Sequence, residues 1–158
     1  MDIKKLNDLV DNNLSYDEQI LKKCTIIATY ENMKKQNDEI ILLFNLKDKM
    51  VDIDDKIAAI LSNVYSYGNI KEEDLINLGI SNKTLKTIRI LNHKEAQLDS
   101  YIDYVINSKN ISAIKIMIAK IEMLIFEMQL RNKQDKIKQY NKCLNKLKYV
   151  YINKEFVA

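Results

Sequence analysis

Apolar residues recur along this chain at steps of three and four almost without interruption, the spacing of one face of an α-helix. Leu6, Leu9 and Val10 mark a short first helix. Ser15, with Glu18 three residues later, has the spacing of a capping box and opens a second helix over about 16–36. Asp38 is placed to cap a third, carrying Ile40, Ile41, Leu43, Phe44 and Met50, and Asp52 or Asp54 a fourth, carrying Ile57, Ile60, Leu61 and Val64. Tyr67-Gly68-Asn69 breaks the pattern, and Asn69 with Glu72 repeats the capping-box spacing. A short helix over 70–78 then ends at Gly79, where a positive φ is wanted, and Ser81 caps a helix over 82–91.

A linker at 92–96 leads to helices near 97–108 and 111–130. The second of these offers Ile114, Met117, Ile118, Ile121, Leu124, Ile125 and Met128, a face wide enough to predict that it forms the centre of the bundle. The last helix, about 132–150, places Ile137, Tyr140, Leu144, Leu147 and Tyr151 on one side. No repeat or low-complexity segment divides the chain, so the pattern predicts one all-α domain over 1–158, a compact bundle of about eight or nine helices.

Composition narrows the chemistry. There is no Pro, and Gly occurs only at 68 and 79, which leaves little material for tight β-hairpins. A single His, His93, removes every site that needs two imidazoles. Cys24 and Cys143 are far apart and in no CxxC arrangement. The N-terminal Met1-Asp2-Ile3-Lys4-Lys5 carries no signal-peptide core, and Lys or Glu interrupts every apolar run before it reaches membrane-spanning length. The expectation is a reduced, cytoplasmic protein without a membrane partner. The net charge of +3 is too small to name a partner by itself.

Six short segments, in order, carry a resemblance. They are Asp55-Lys56-Ile57-Ala58-Ala59-Ile60-Leu61, Asn69-Ile70-Lys71-Glu72-Glu73-Asp74-Leu75, Leu78-Gly79-Ile80-Ser81, Leu91-Asn92-His93-Lys94-Glu95, Tyr101-Ile102-Asp103-Tyr104-Val105 and Ala113-Ile114-Lys115-Ile116-Met117-Ile118-Ala119. In order and spacing, the stretch over 54–149 resembles the HD-domain phosphohydrolases, in particular the RelA/SpoT-like (p)ppGpp hydrolase branch. The resemblance implies an HD-like helical fold.

It also implies that the family's metal site has been lost. The His-Asp pair of the family falls on Ser62-Asn63, and the following Glu-Asp falls on Ser66-Tyr67. The last ligating Asp falls on Lys120, the Asn one turn later on Leu124, and a first ligand His on Phe44. A divalent ion that activates water and neutralises a pyrophosphate needs imidazole and carboxylate ligands, which Ser, Asn and Phe do not supply. Lys120 would add a positive charge beside it. No His-Asp dipeptide exists anywhere, because His93 is followed by Lys94. The resemblance therefore implies a pseudoenzyme with no catalytic residues, no metal and no cofactor. Its role would be a binding or regulatory module for a nucleotide or a protein partner, with Lys120, Ser62 and Asn63 as polar contacts of a metal-free nucleotide. A phosphohydrolase with a rebuilt site is one alternative.

A second alternative is nucleic-acid binding through the last helix. Arg131, Lys133, Lys136, Lys138, Lys142, Lys146 and Lys148 stand there against Asp135 alone, with Lys138, Lys142 and Lys146 as the candidate contacts. The bland reading is a solvated face in a Lys-rich chain, since only one Arg stands among them. Tyr140, Tyr149 and Tyr151 could stack on bases, although Tyr140 lies on the apolar stripe. His93 has no orienting partner on a helix, because Glu95 two residues on would not face it. Asp52, Asp54 and Asp55 suit helix capping better than a calcium loop. Met123 and Phe126 lie off the main stripe of their helix and are candidates for a homo-oligomer contact.

Overall fold

The computed structural model describes residues 3–35 and 38–153. Among these the chain is all-α, with eight α-helices, two 3-10 helices and no strand. It divides into two compact units, Met1–Asn92 and His93–Ala158.

The first unit opens with a 3-10 helix, Ile3–Leu9, followed by α1 (Tyr16–Lys34), α2 (Glu39–Asp48) and α3 (Ile53–Ile60). A 3-10 helix over Val64–Tyr67 leads into α4 (Glu72–Asn77) and α5 (Asn82–Leu91). α1 begins where its capping box places it: the Glu18 N–H donates to Ser15 Oγ at 3.3 Å, and the Ser15 N–H donates back to Glu18 Oε2 at 3.0 Å. α1 ends at Lys34, with Lys35 as its C-cap, short of the expected 36, which itself lies outside the described residues. α5 begins in the same way, with the Thr84 N–H on Ser81 Oγ at 3.2 Å. Gly79, at φ 90°, closes α4 as its sequence position requires.

Three local expectations are corrected. Asp38 and Asp52 occupy the N-cap positions of α2 and α3 without a side-chain capping hydrogen bond. α2 stops at Asp48, short of Met50, which is nevertheless buried. Asn69 does not cap α4: its amide turns away to Glu31, and Asp74 accepts the Lys71 N–H at 2.8 Å instead. The cap falls two residues later, at Lys71, and Glu72, now the first residue of the helix, is engaged by Arg89.

The hub of this unit is the shortest of its central helices. α3 has eight residues, yet it packs on α1, α2 and α5 and buries Ile57, Ala58, Ala59 and Ile60. Two adjacent Ala residues let neighbouring helices approach closely, and the flanking Ile residues fill the space between them.

The second unit comprises α6 (Leu98–Asn107), α7 (Ile111–Leu130) and α8 (Gln134–Ile152). α7 runs along α8, and both meet α6, so the central place expected for α7 is shared with α8, whereas α3 is the hub of the first unit. Ile114, Met117, Ile121 and Ile125 of its predicted face are buried, together with Ala113, Ile116 and Ala119. Ile137, Leu144 and Leu147 of α8 are buried as the pattern predicts, and Cys143 joins them. Ion pairs lie along the outside: Lys148 Nζ is 2.7 Å from Glu122 Oε1, and Arg131 Nη2 is 2.8 Å from Glu127 Oε1. Among the described residues no helix is long and apolar enough to cross a membrane.

Candidate functional site

The most built feature of the first unit is the turn that follows α3. α3 ends when Leu61 leaves helical register, and the chain tightens through Ser62 N–H to Ala59 O (3.3 Å) and Val64 N–H to Leu61 O (3.1 Å). It continues through Ser66 N–H to Asn63 O (3.0 Å) and closes on Gly68 at φ 74°. The Ser66 hydroxyl donates to the Asn63 carbonyl as well.

A residue from the end of α5 braces this turn. Asn92 Oδ1 accepts the Tyr65 N–H at 3.1 Å, and Asn92 Nδ2 donates to Leu61 O and to Ile88 O, both at 2.9 Å. One side-chain amide thus satisfies the Tyr65 N–H and adds a second hydrogen bond to two carbonyls that already accept from the Val64 and Asn92 backbone N–H groups. The sequence pattern assigns Asn92 only to a linker. Its place directly after the last periodic residue of α5 is the one signal that marks it.

The turn is also tied to α1, where Asn69 Nδ2 donates to Glu31 Oε2 at 2.8 Å. Glu31 is 1% exposed. It continues the apolar row Ile20, Cys24, Ile27 and Ala28 by helical spacing, so a carboxylate on a buried stripe was its visible sign. Two hydroxyls of the turn, Ser62 Oγ and Tyr65 Oη, are buried without a hydrogen-bond partner among the described residues. Burial, reinforced by the Glu72 carboxylate nearby, pushes the Tyr65 phenol up to about 12. Glu72 itself accepts from Arg89 Nε at 3.1 Å and from Nη2, which holds its carboxyl below the usual range.

The sequence-derived site residues divide between the units. Phe44 is half-buried on α2 with Lys47 Nζ 5.2 Å from its ring centre, Ser62 is buried, Asn63 is half-buried and Ser66 is exposed. Tyr67 ends the 3-10 helix of the turn. The turn brings together Ser62, Asn63, Ser66 and Tyr67 in the first unit, whereas Lys120 and Leu124 lie half-buried on α7 in the second. On α8, Lys138 and Lys142 are exposed, and Lys146 Nζ is held 3.0 Å from Asp103 Oδ1. That hydrogen bond raises the Lys146 ammonium above its ordinary value.

His93 is placed differently from its sequence reading. Residues 93–97 are not helical, so Glu95 does reach it, with Oε2 3.7 Å from His93 Nε2. The imidazole stacks on Tyr104 with ring centres 3.7 Å apart. Both cysteines are free thiols. Burial pushes Cys24 up to about 12; burial and a hydrogen bond to Asp99 push Cys143 up to about 11. Neither is a ready nucleophile at neutral pH.

The donor set bears directly on a metal. The turn offers a buried hydroxyl at 62 and an amide at 63, and no three His, Cys, Asp or Glu side chains among the described residues are grouped to hold an ion. These residues do not fit the divalent cation that HD phosphohydrolases use. Compared with models of known protein families and with curated proteins, the chain matches none.

Proposed function

We propose that this chain is a catalytically inactive relative of the HD-domain phosphohydrolases and acts as a binding or regulatory module. Its ligand in this reading is a nucleotide held without metal. The observation that carries it is the turn over 61–67. The turn is braced at three points by Asn92 and tied to α1 through Asn69, so it is a constructed feature of the unit. The two positions that correspond to the His-Asp pair hold the Ser62 hydroxyl, buried without a hydrogen-bond partner among the described residues, and the Asn63 amide. A retained scaffold with neutral polar groups in place of metal ligands supports binding rather than hydrolysis. The order of short helices through α3, α4 and α5, with the Gly79 stop and Ser81 cap, supports the same relation.

The test is a thermal-shift and turnover series on metal-stripped protein with Mn²⁺ alone, with guanine nucleotides including ppGpp alone, and with both. The expected result is no release of pyrophosphate in any arm and a nucleotide shift that does not need Mn²⁺. A ligand at a hundredfold its Kd adds about 2.7 kcal/mol, enough to raise Tm visibly, and Asn63→Ala should reduce that rise. Mn²⁺-dependent turnover would overturn the inactive assignment; no shift with any nucleotide would overturn the nucleotide ligand.

A further inference from the structure

We infer that the outward face of α8 is a binding surface for single-stranded nucleic acid, contacted by Lys138 and Lys142 and stacked on by Tyr149. This surface belongs to the second unit alone and stands independently of the HD relation. Lys138, Lys142, Asn145 and Tyr149 follow at steps of four, three and four, which places them on one side of the helix, and all four are exposed. The opposite side is used for packing by Ile137, Cys143, Leu144 and Leu147.

Of the lysines carried by α8, the structure commits two to intramolecular pairs, Lys146 with Asp103 and Lys148 with Glu122. Lys138 and Lys142 have no ion pair among the described residues, so their charge is directed to solvent. The only acid on α8, Asp135, stands in its first turn, where it meets the helix dipole. Tyr149 is 71% exposed, whereas Tyr140 and Tyr151 are half-buried. An aromatic ring left in water on the same helix face as uncommitted ammonium groups is the combination that single strands use: cations for phosphates and a flat face for an unpaired base. A duplex keeps its bases stacked on each other and gives the ring nothing to cover. A membrane would need a broad apolar face, and the apolar face of α8 is already packed on α7.

The experiment is fluorescence-anisotropy titration of the full chain with a labelled oligouridylate of about 20 nucleotides, across a salt series starting near 50 mM. A duplex of the same length, polyglutamate and anionic lipid vesicles are the comparison probes. We expect the single strand to bind best. Lys138→Gln with Lys142→Gln should reduce the steepness of log Kd against log salt by about 1.4, at roughly 0.7 per phosphate released. Tyr149→Ala should weaken binding roughly tenfold and leave that slope unchanged. All three side chains are exposed, so the variants keep the fold, which circular dichroism checks. The inference is overturned if the single strand does not bind at the lowest salt, or if duplex, polyglutamate or vesicles bind as tightly. It is equally overturned if the lysine pair leaves the slope unchanged or Tyr149→Ala leaves the affinity unchanged.

Discussion

In the unit Met1–Asn92 six polar or charged side chains are buried, Glu31, Asn32, Asp55, Ser62, Thr84 and Thr87, whereas the buried positions described in His93–Ala158 are apolar, from Ile102 to Leu147. Outside α1, which carries Glu31 and Asn32, the difference goes with helix length. α7 and α8 have 20 and 19 residues, long enough for an amphipathic stripe to define their pairing. The first unit uses helices of six to ten residues after α1, and each end leaves backbone donors and acceptors that something must satisfy. Asn92 and the Ser15 and Ser81 caps do so, Asn92 across 27 to 31 residues of chain, and Asn69 partners the buried Glu31 carboxylate across 38. One unit is specified by area and the other also by polar latches. A buried polar group that has its partner rigidifies, and one that lacks it is a cost.

Substitutions can break this contrast. The largest effect is expected in the second unit from Ile116→Ala, at a fully buried position of α7, with a loss of about 2–5 kcal/mol in urea denaturation. Asn92→Ala should come next, at about 1–3 kcal/mol, because the Tyr65 N–H loses its partner while Leu61 O and Ile88 O each lose a second one. Its specific signature is faster amide exchange at Tyr65, which a general loss of packing would not single out. If Asn92→Ala cost nothing, the latch account of the first unit would fail.

Smaller effects sharpen the same comparison. Gly79→Ala should cost about 1 kcal/mol from its positive φ, slightly more than Gly68→Ala, because a Cβ at 79 also displaces the Tyr16 hydroxyl while one at 68 meets nothing. Ser62→Ala should be neutral or stabilise by up to about 1 kcal/mol, since it removes a buried hydroxyl that has no partner. A clear destabilisation in equilibrium unfolding would mean that Ser62 is satisfied.

The smallest effect is in pH. Arg89 lowers the Glu72 pKa in the folded state, so this pair contributes stability above the unfolded carboxyl value near 4.3. The contribution is lost as pH falls through the lower folded value. Both side chains are more than a third exposed, so the term is modest. Glu72→Gln should flatten the acid limb of Tm against pH slightly and leave Tm above pH 6 little changed.

Much of the helical frame was legible in the chain. Ser15 with Glu18, Gly79, Ser81 and the wide stripe of α7 are local signals, and the helices start, stop and turn as those signals require. The misreadings have separate causes. Asn69 has the spacing of a cap but gives its amide to the buried Glu31, and Glu95 reaches His93 because the segment between α5 and α6 is not helical.

The amino-acid sequence by itself determined the secondary structure, the apolar faces, and the absence of His-Asp and paired-imidazole chemistry, because each depends on residue type and short spacing. Only the tertiary structure decided which polar groups are satisfied. That Asn92 braces the turn, that Ser62 is buried without a partner among the described residues, and that Lys146 and Lys148 are paired there while Lys138 and Lys142 are not depends on side chains brought together from distant segments. Hydrogen bonds and ion pairs act over a few ångströms in space and carry no periodic trace along the chain.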